Sequence, residues 1–265
     1  MMRPVPSAAP AIELLEPSDG GRIYEMPGRV RLGDVDRDGR MRLDAVARVL
    51  QDIATDDASA ADLDRGFGWL VRRTLIDTTR PAALGESIDV ATWCTGIGRS
   101  WAERRTRIVG ARGAAIDAVS LWVQIDVESG RPTRIATDFI DAFQTSAAGR
   151  VVSSRLALPA HGHRAASAGR WTVRRTDLDP FGHVNNAATW CFLEESTSLD
   201  ETGRIGCAEI EYLLPIEHTD REMEVLVESD AEDGSVLAWL VSGARTAAAA
   251  RWRPAPSPTD GDGVR

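Results

Sequence analysis

The sequence contains no lysine: all 31 of its basic residues are arginine, set against 40 Asp and Glu and a formal charge of −9. Beside abundant Ala, Arg and Asp, that reads as a GC-rich codon bias rather than a functional signal. The acidic balance argues against nucleic acid as a partner, which needs a concentrated basic surface. The local clusters Arg72-Arg73, Arg104-Arg105-Thr106-Arg107 and Arg174-Arg175 read first as solvated strand residues. A dock for phosphate or an acidic carrier protein is the sharper alternative, because guanidinium suits phosphate geometry. Cysteine is scarce, and Cys94, Cys191 and Cys207 show no ligand spacing. Neither a disulfide framework nor a metal centre is therefore expected. No apolar run approaches the roughly 20 residues of a membrane helix. Residues 1–17 lack the charged and apolar regions of a secretory signal, so no membrane association and a cytoplasmic location are expected. Of four histidines, His161, His163 and His218 lie in loop-like contexts and are expected to be solvated. His183 stands apart.

What is present is an internal repeat in a chain long enough for two compact units. DVDRDGRMRLDAVARVLQD (34–52) aligns without a gap on DLDPFGHVNNAATWCFLEE (177–195), at an offset of 143 residues. Asp34 meets Asp177, Asp36 meets Asp179, Gly39 meets Gly182, Leu50 meets Leu193 and Asp52 meets Glu195. Each segment follows a short strand-like run (RVRL, WTVRR) and opens a helical pattern. Each is followed by an alternating strand ending in proline, LIDTTRP and IEYLLP, and then by ESIDVATW and REMEVLVE. SWAERRTRIVG and AAIDAVSLWVQID complete the first unit; SVLAWLVSG and TAAAARWRP complete the second. One helix and about five strands, twice, predicts an α+β fold with the two units side by side in one continuous antiparallel sheet. The expected divisions are a first unit over 22–145, a connection over 146–168, a second unit over 169–253 and a disordered tail over 254–265. Residues 1–20, rich in Pro, Ala and Ser, are expected to fray.

The chemistry concentrates in Asp177-Leu-Asp-Pro-Phe-Gly-His-Val-Asn-Asn186. A carboxylate can orient or deprotonate water and an imidazole can relay a proton. N–H groups at a helix start can hold a carbonyl oxygen as it becomes negative. Gly182 lets the backbone approach a ligand. Asn185 and Asn186 have a second reading as turn or helix-cap residues. Cys191 is expected in the core, and Glu194 and Glu195 at the surface, with one of them able to face the sheet.

The segment resembles the D-x-D-x-x-G-H-V-N-N signature of hot-dog thioesterases, and the two-repeat layout is similar to the acyl-acyl-carrier-protein thioesterase family. WLVRRTLIDTTRPAALGESIDVATWCTG and SLWVQIDVESGRPTRI resemble that family's first repeat. The resemblance implies two tandem hot-dog repeats, each a long central helix on an antiparallel sheet. It also implies hydrolysis of fatty acyl-acyl-carrier-protein or acyl-CoA without metal or organic cofactor, and allows a homodimer. By position it makes Asp179 the catalytic aspartate and His183 the histidine. Asn185 would supply a side-chain amide, and Gly182 and Val184 backbone donors. The first repeat, with Arg40 in place of His183, becomes a non-catalytic unit that shapes the acyl pocket, its Asp36 and Arg40 forming an ion pair. Two departures stand out. Phe181 replaces the family's asparagine, and Pro215-Ile216 replaces its Glu-Cys pair, which leaves water rather than a thiol as the expected nucleophile. Two other readings stay open: a hot-dog hydratase or dehydratase, whose histidine falls five residues after the aspartate rather than four, and a non-catalytic acyl-thioester binder.

Overall fold

The computed structural model describes residues 14–63, 68–162, 165–196, 205–229 and 234–254. Among these described residues ten strands and three α-helices follow the order β1 (Tyr24–Arg29), α1 (Leu43–Ala60), β2 (Gly68–Arg80), β3 (Ser87–Ile97), β4 (Trp101–Gly110), β5 (Ala115–Ile125), α2 (Thr137–Ala147), β6 (Ala166–Thr172), α3 (Asn186–Ser196), β7 (Ile205–Tyr212), β8 (Glu222–Ser229), β9 (Val236–Ser242) and β10 (Arg245–Pro254). The strands form a single antiparallel sheet in the order β1-β3-β4-β5-β2-β7-β10-β9-β8-β6. Numbered within its own half, each set of five strands runs 1-3-4-5-2, and the two halves meet with opposite sense at β2 and β7. The architecture is α+β with one large sheet, as the patterning predicts.

Helices cover one face. Leu43, Val46, Ala47, Leu50 and Ile53 of α1 recur at helical spacing and are buried. They share one core with Ala187, Trp190 and Leu193 of α3 and with Ile76, Ile116, Ile210 and Leu240 of the sheet. The helices α1 and α3 pack against each other above the β2–β7 junction.

The helix α2 falls in a stretch the sequence reading left without a helix. Trp69, Phe139 and Phe143 make consecutive ring contacts with centroids 5.0 and 4.7 Å apart, and Phe143 is fully buried. Arg104 reaches Asp57 of α1 at 2.5 Å and lies 5.4 Å from the Phe143 ring, which puts α2 on the same face as α1. Ala148 ends the helix in the left-handed region at φ 49°.

The other face is crossed by two segments expected to be passive. In the N-terminal stretch, the Leu15 carbonyl accepts the Trp93 indole N–H at 3.2 Å, and Glu16 pairs with Arg105 and Arg107. The described part of residues 1–20 is thus laid on the sheet by charge pairs rather than frayed. In the connection, the Val152 and Pro159 carbonyls accept the indole N–H groups of Trp101 and Trp239, and the Ala157 and Leu158 N–H groups donate to Glu211. The tail beyond residue 254, and His163, lie outside the described residues.

Candidate functional site

The turn that leads into α3 is held by its own aspartates. The buried Asp177 carboxylate accepts the Arg174 N–H at 2.8 Å, and its carbonyl accepts the Asn185 N–H at 2.7 Å. Asp179 Oδ1 accepts the N–H groups of Phe181 and His183 at 2.9 and 3.1 Å. The Asp179 N–H donates to the His183 carbonyl at 2.8 Å, and Gly182 takes φ 80° to let the chain reverse. Asp179 and His183 are therefore joined through backbone. Among the described residues, Asp179 Oδ2 and the His183 imidazole bond to no protein group.

The first repeat builds the same turn. Asp36 Oδ1 accepts the N–H groups of Asp38 and Arg40 at 2.8 and 2.9 Å, the Asp36 N–H reaches the Arg40 carbonyl at 2.8 Å, and Gly39 takes φ 76°. The alignment at 143 residues is thus an alignment of hydrogen bonds. One expectation is corrected here. The Arg40 guanidinium pairs with Asp38 at 3.4 Å rather than with Asp36, whose carboxylate already closes the turn.

Gly182 and Val184 are the second correction. The Gly182 N–H donates to the Asp179 carbonyl at 3.0 Å and the Val184 N–H to the Ile216 carbonyl at 2.8 Å. Both donors are taken, Gly182's within the turn and Val184's by the segment after β7, so the first turn of α3 is where free donors must be sought. There Asn185 Oδ1 accepts the Ala187 N–H at 2.8 Å, making Asn185 the helix cap. Asn186 instead lines a small cavity between the helices, with an accessible volume of about 10 Å³, together with Gln51, Thr74, Trp122, Trp190 and Tyr212. Asp179 and His183 stand at the turn, outside that lining. Phe181, in the place of the family asparagine, is 75% exposed, while Ile216 is buried.

Glu194 overturns the surface expectation. Its carboxyl crosses to the other repeat and accepts the N–H groups of Leu43 and Asp44, at 2.9 and 3.5 Å, at the start of α1. Burial pushes its pKa up to about 7 against the opposing pull of those N–H groups. Burial also pushes the thiols of Cys94, Cys191 and Cys207 up to about 11, leaving them protonated near neutrality. Cys191 itself is half-buried rather than a full core residue. Sequence reasoning missed Gln51 and Tyr212 at the cavity. The offset of 143 residues, which makes Gln51 the counterpart of Glu194, was the signal that could have found Gln51.

A larger cavity of about 420 Å³ opens in the first repeat between the end of α1 and the start of α2, with Leu63, Trp69 and Phe139 as its apolar wall and Gln124 and Asp138 as polar members. Among the described residues no cluster of His, Cys, Asp or Glu is arranged to hold a metal, and no helix is long and apolar enough to cross a membrane.

Residues 21–143 match the family model for the acyl-ACP thioesterase N-terminal domain, and residues 161–250 match that for the C-terminal domain. An uncharacterised protein of Mycobacterium tuberculosis is 29% identical over 180 residues, covering 68% of this chain and 72% of that protein. Among solved structures, an acyl-ACP thioesterase from Bacteroides thetaiotaomicron superposes with a TM-score of 0.72 at 17% identity, covering 87% of this chain and 97% of its own. The 12:0-ACP thioesterase from Umbellularia californica superposes with a TM-score of 0.70 at 19% identity, covering 88% and 97%. At such identities the structural likeness is one of fold.

Proposed function

This chain belongs to the acyl-ACP thioesterase family, and from that premise we propose that it hydrolyses fatty acyl thioesters of acyl carrier protein, or of coenzyme A, to free fatty acid and carrier thiol. The mirrored strand order around β2 and β7 supports reading the two halves as tandem hot-dog repeats. The observation that carries the reading is the shared turn: its backbone bonds are the same in both repeats, yet only the second carries a histidine at the position whose N–H the aspartate accepts.

Asp179 Oδ1 is fixed by two N–H groups, which leaves Oδ2 to hold and deprotonate a water molecule. The water oxygen forms a bond to the thioester carbon while the carbonyl π pair moves onto oxygen. When that pair returns, the carbon–sulfur bond breaks and the thiolate takes a proton, delivered by His183. Water is the nucleophile because the three thiols stay protonated. Asn185 acts by fixing the start of α3. The first repeat accommodates the acyl chain, for which the 420 Å³ cavity is within the usual size of a small-molecule pocket.

The test is thiol release from acyl-carrier and acyl-CoA substrates over a range of chain lengths. Asp179→Asn should lower kcat by about 10²–10⁴-fold with the fold intact, as for loss of a general base. A variant within threefold of wild type would displace Asp179 from the reaction. Phe139→Ala, which enlarges the cavity, should shift the preference toward longer chains, and an unchanged length profile would place the acyl group elsewhere.

A further inference from the structure

The repeat relates not only the two turns but what each helix offers the other. Leu43 and Asp44, which open α1, correspond to Asn186 and Ala187, which open α3; Glu194 on α3 corresponds to Gln51 on α1. At the start of α1 the place opposite the helix is filled, with Glu194 oxygens on the Leu43 and Asp44 N–H groups. At the start of α3, Gln51 and Asn186 face the same small cavity, and the Gln51 carboxamide makes no hydrogen bond to a described residue.

The Tyr212 hydroxyl at that cavity donates to the Asn186 carbonyl at 3.2 Å, but several N–H groups of its lining residues bond to no described acceptor. Trp190 is fully buried, and its indole N–H, beside the Tyr212 hydroxyl, has no acceptor in hydrogen-bonding geometry; the buried indole N–H of Trp122 has none either. The Asn186 N–H finds no acceptor among the described residues, whereas its neighbour Ala187 is capped by Asn185. Among the described residues no carboxylate lines the cavity. Buried N–H groups left unbonded are costly, so converging ones mark a place built for an oxygen supplied from outside. The accessible volume, about 10 Å³, admits roughly one oxygen atom.

We propose that this cavity holds the carbonyl oxygen of the thioester, that Gln51 of the first repeat contacts it, and that Glu194 is a built-in occupant closing the equivalent place at α1. The inference rests on the hydrolytic reading above and specifies where the charge of that reaction develops. As the water oxygen bonds to carbon, the electron pair moved onto the carbonyl oxygen meets the Asn186 and indole N–H groups and the Gln51 carboxamide. A neutral side chain at position 51 leaves that negative charge unopposed, whereas a carboxylate there would repel it and take its donors.

The experiment replaces Gln51 by the residue found at its counterpart. Two readouts are taken: thiol release from an acyl-CoA, and binding of an acyl-pantetheine ketone in which a methylene group replaces the sulfur. Gln51→Glu should lose 100-fold or more in kcat, as for an obstructed oxyanion site, and should lose ketone binding without a fall in Tm. Glu194→Gln should stay within threefold of wild type in both readouts. Should Gln51→Glu fail to fold, Gln51→Leu carries the same expectation at roughly tenfold or more. A wild type that hydrolyses acyl-CoA, with Gln51→Glu matching it within threefold in rate and ketone affinity, overturns the inference and leaves the hydrolytic reading standing. A wild type that binds the ketone through Gln51 yet releases no thiol overturns the hydrolytic reading and upholds the carbonyl site. Absence of both activities overturns both.

Discussion

Glu194 shows how one residue can be legible in type and illegible in role. Its position four residues past Trp190 on a short helix says nothing about the other repeat, whose backbone it holds from 151 residues away. The Asp179 turn is the opposite case, because the groups that make it all lie within five residues, and sequence spacing alone describes it. Glu194 also has a measurable signature. Its folded pKa is raised from 4.5 to about 7, chiefly by burial, with the Leu43 N–H opposing. The folded protein thus retains a proton that the unfolded chain releases. Stability from this group is fully present below about pH 4.5 and is lost as pH rises toward 7, a change on the order of 2–4 kcal/mol. Denaturant unfolding at pH 5 and pH 8 should show that loss in wild type and a flatter profile in Glu194→Gln; equal slopes would contradict it. The thiols give a second expectation at this scale. Burial holds all three up to about 11, so the combined Cys94→Ser, Cys191→Ala, Cys207→Ser variant should keep its thioester-cleaving activity, and a covalent acyl-enzyme detected by mass spectrometry would contradict water attack.

Among the elements, α1 followed its helical periodicity, and β2 to β5 and β7 to β10 overlap their expected runs. By contrast, β1 and β6 lie mostly N-terminal to RVRL and WTVRR, α3 has no clear apolar face, and α2 escaped notice. Its large apolar residues are Phe139, Ile140 and Phe143, and they follow closely on the polar turn residues 126–134, so the segment reads as part of a connection. Their importance lies in what they meet: Phe143 is fully buried between Phe139 and the guanidinium groups of Arg22 and Arg104. Phe143→Ala should therefore cost about 3–5 kcal/mol, and a loss under 1 kcal/mol in urea unfolding would mean that α2 is only lightly docked. The paired turns allow a cleaner comparison. A Cβ at Gly39 would meet only Leu84 at 3.9 Å and one at Gly182 would meet nothing within 4 Å, so alanine at either place costs only the left-handed backbone, about 1–2 kcal/mol. Gly39→Ala and Gly182→Ala should thus lose similar stability, with thiol release falling only in Gly182→Ala. Equal falls in activity would point to chemistry in both turns.

Over the whole molecule, the doubled order of strands was legible because two similar stretches of sequence must solve the same packing problem. What was not legible is the crossing of the sheet's other face by Leu15, Glu16 and residues 150–159, since both stretches read as loops and make their bonds across the sheet. The junction between the halves is held there by buried charges. Glu209 on β7 accepts Arg251 at 3.2 Å and faces Arg73 on β2 at 3.9 Å, with Glu103 on the other side of Arg73 at 3.5 Å. Glu209→Ala would leave Arg251 without its carboxylate and Arg73 with Glu103 alone, and should lower stability by about 1–3 kcal/mol; a loss under about 0.5 kcal/mol, the level of an exposed pair, would show that water reaches the junction. The pairing of β2 with β7 is intramolecular, and this has a consequence for inheritance. In an assembly of two identical chains a substitution appears on both sides of the symmetry axis at once, so neither side can change alone, and dilution can part them. Here a codon for position 51 and a codon for position 194 mutate separately, while the linked halves face each other at an effective concentration that dilution does not alter. One side of the axis was thus free to acquire an acid that the other side could not tolerate.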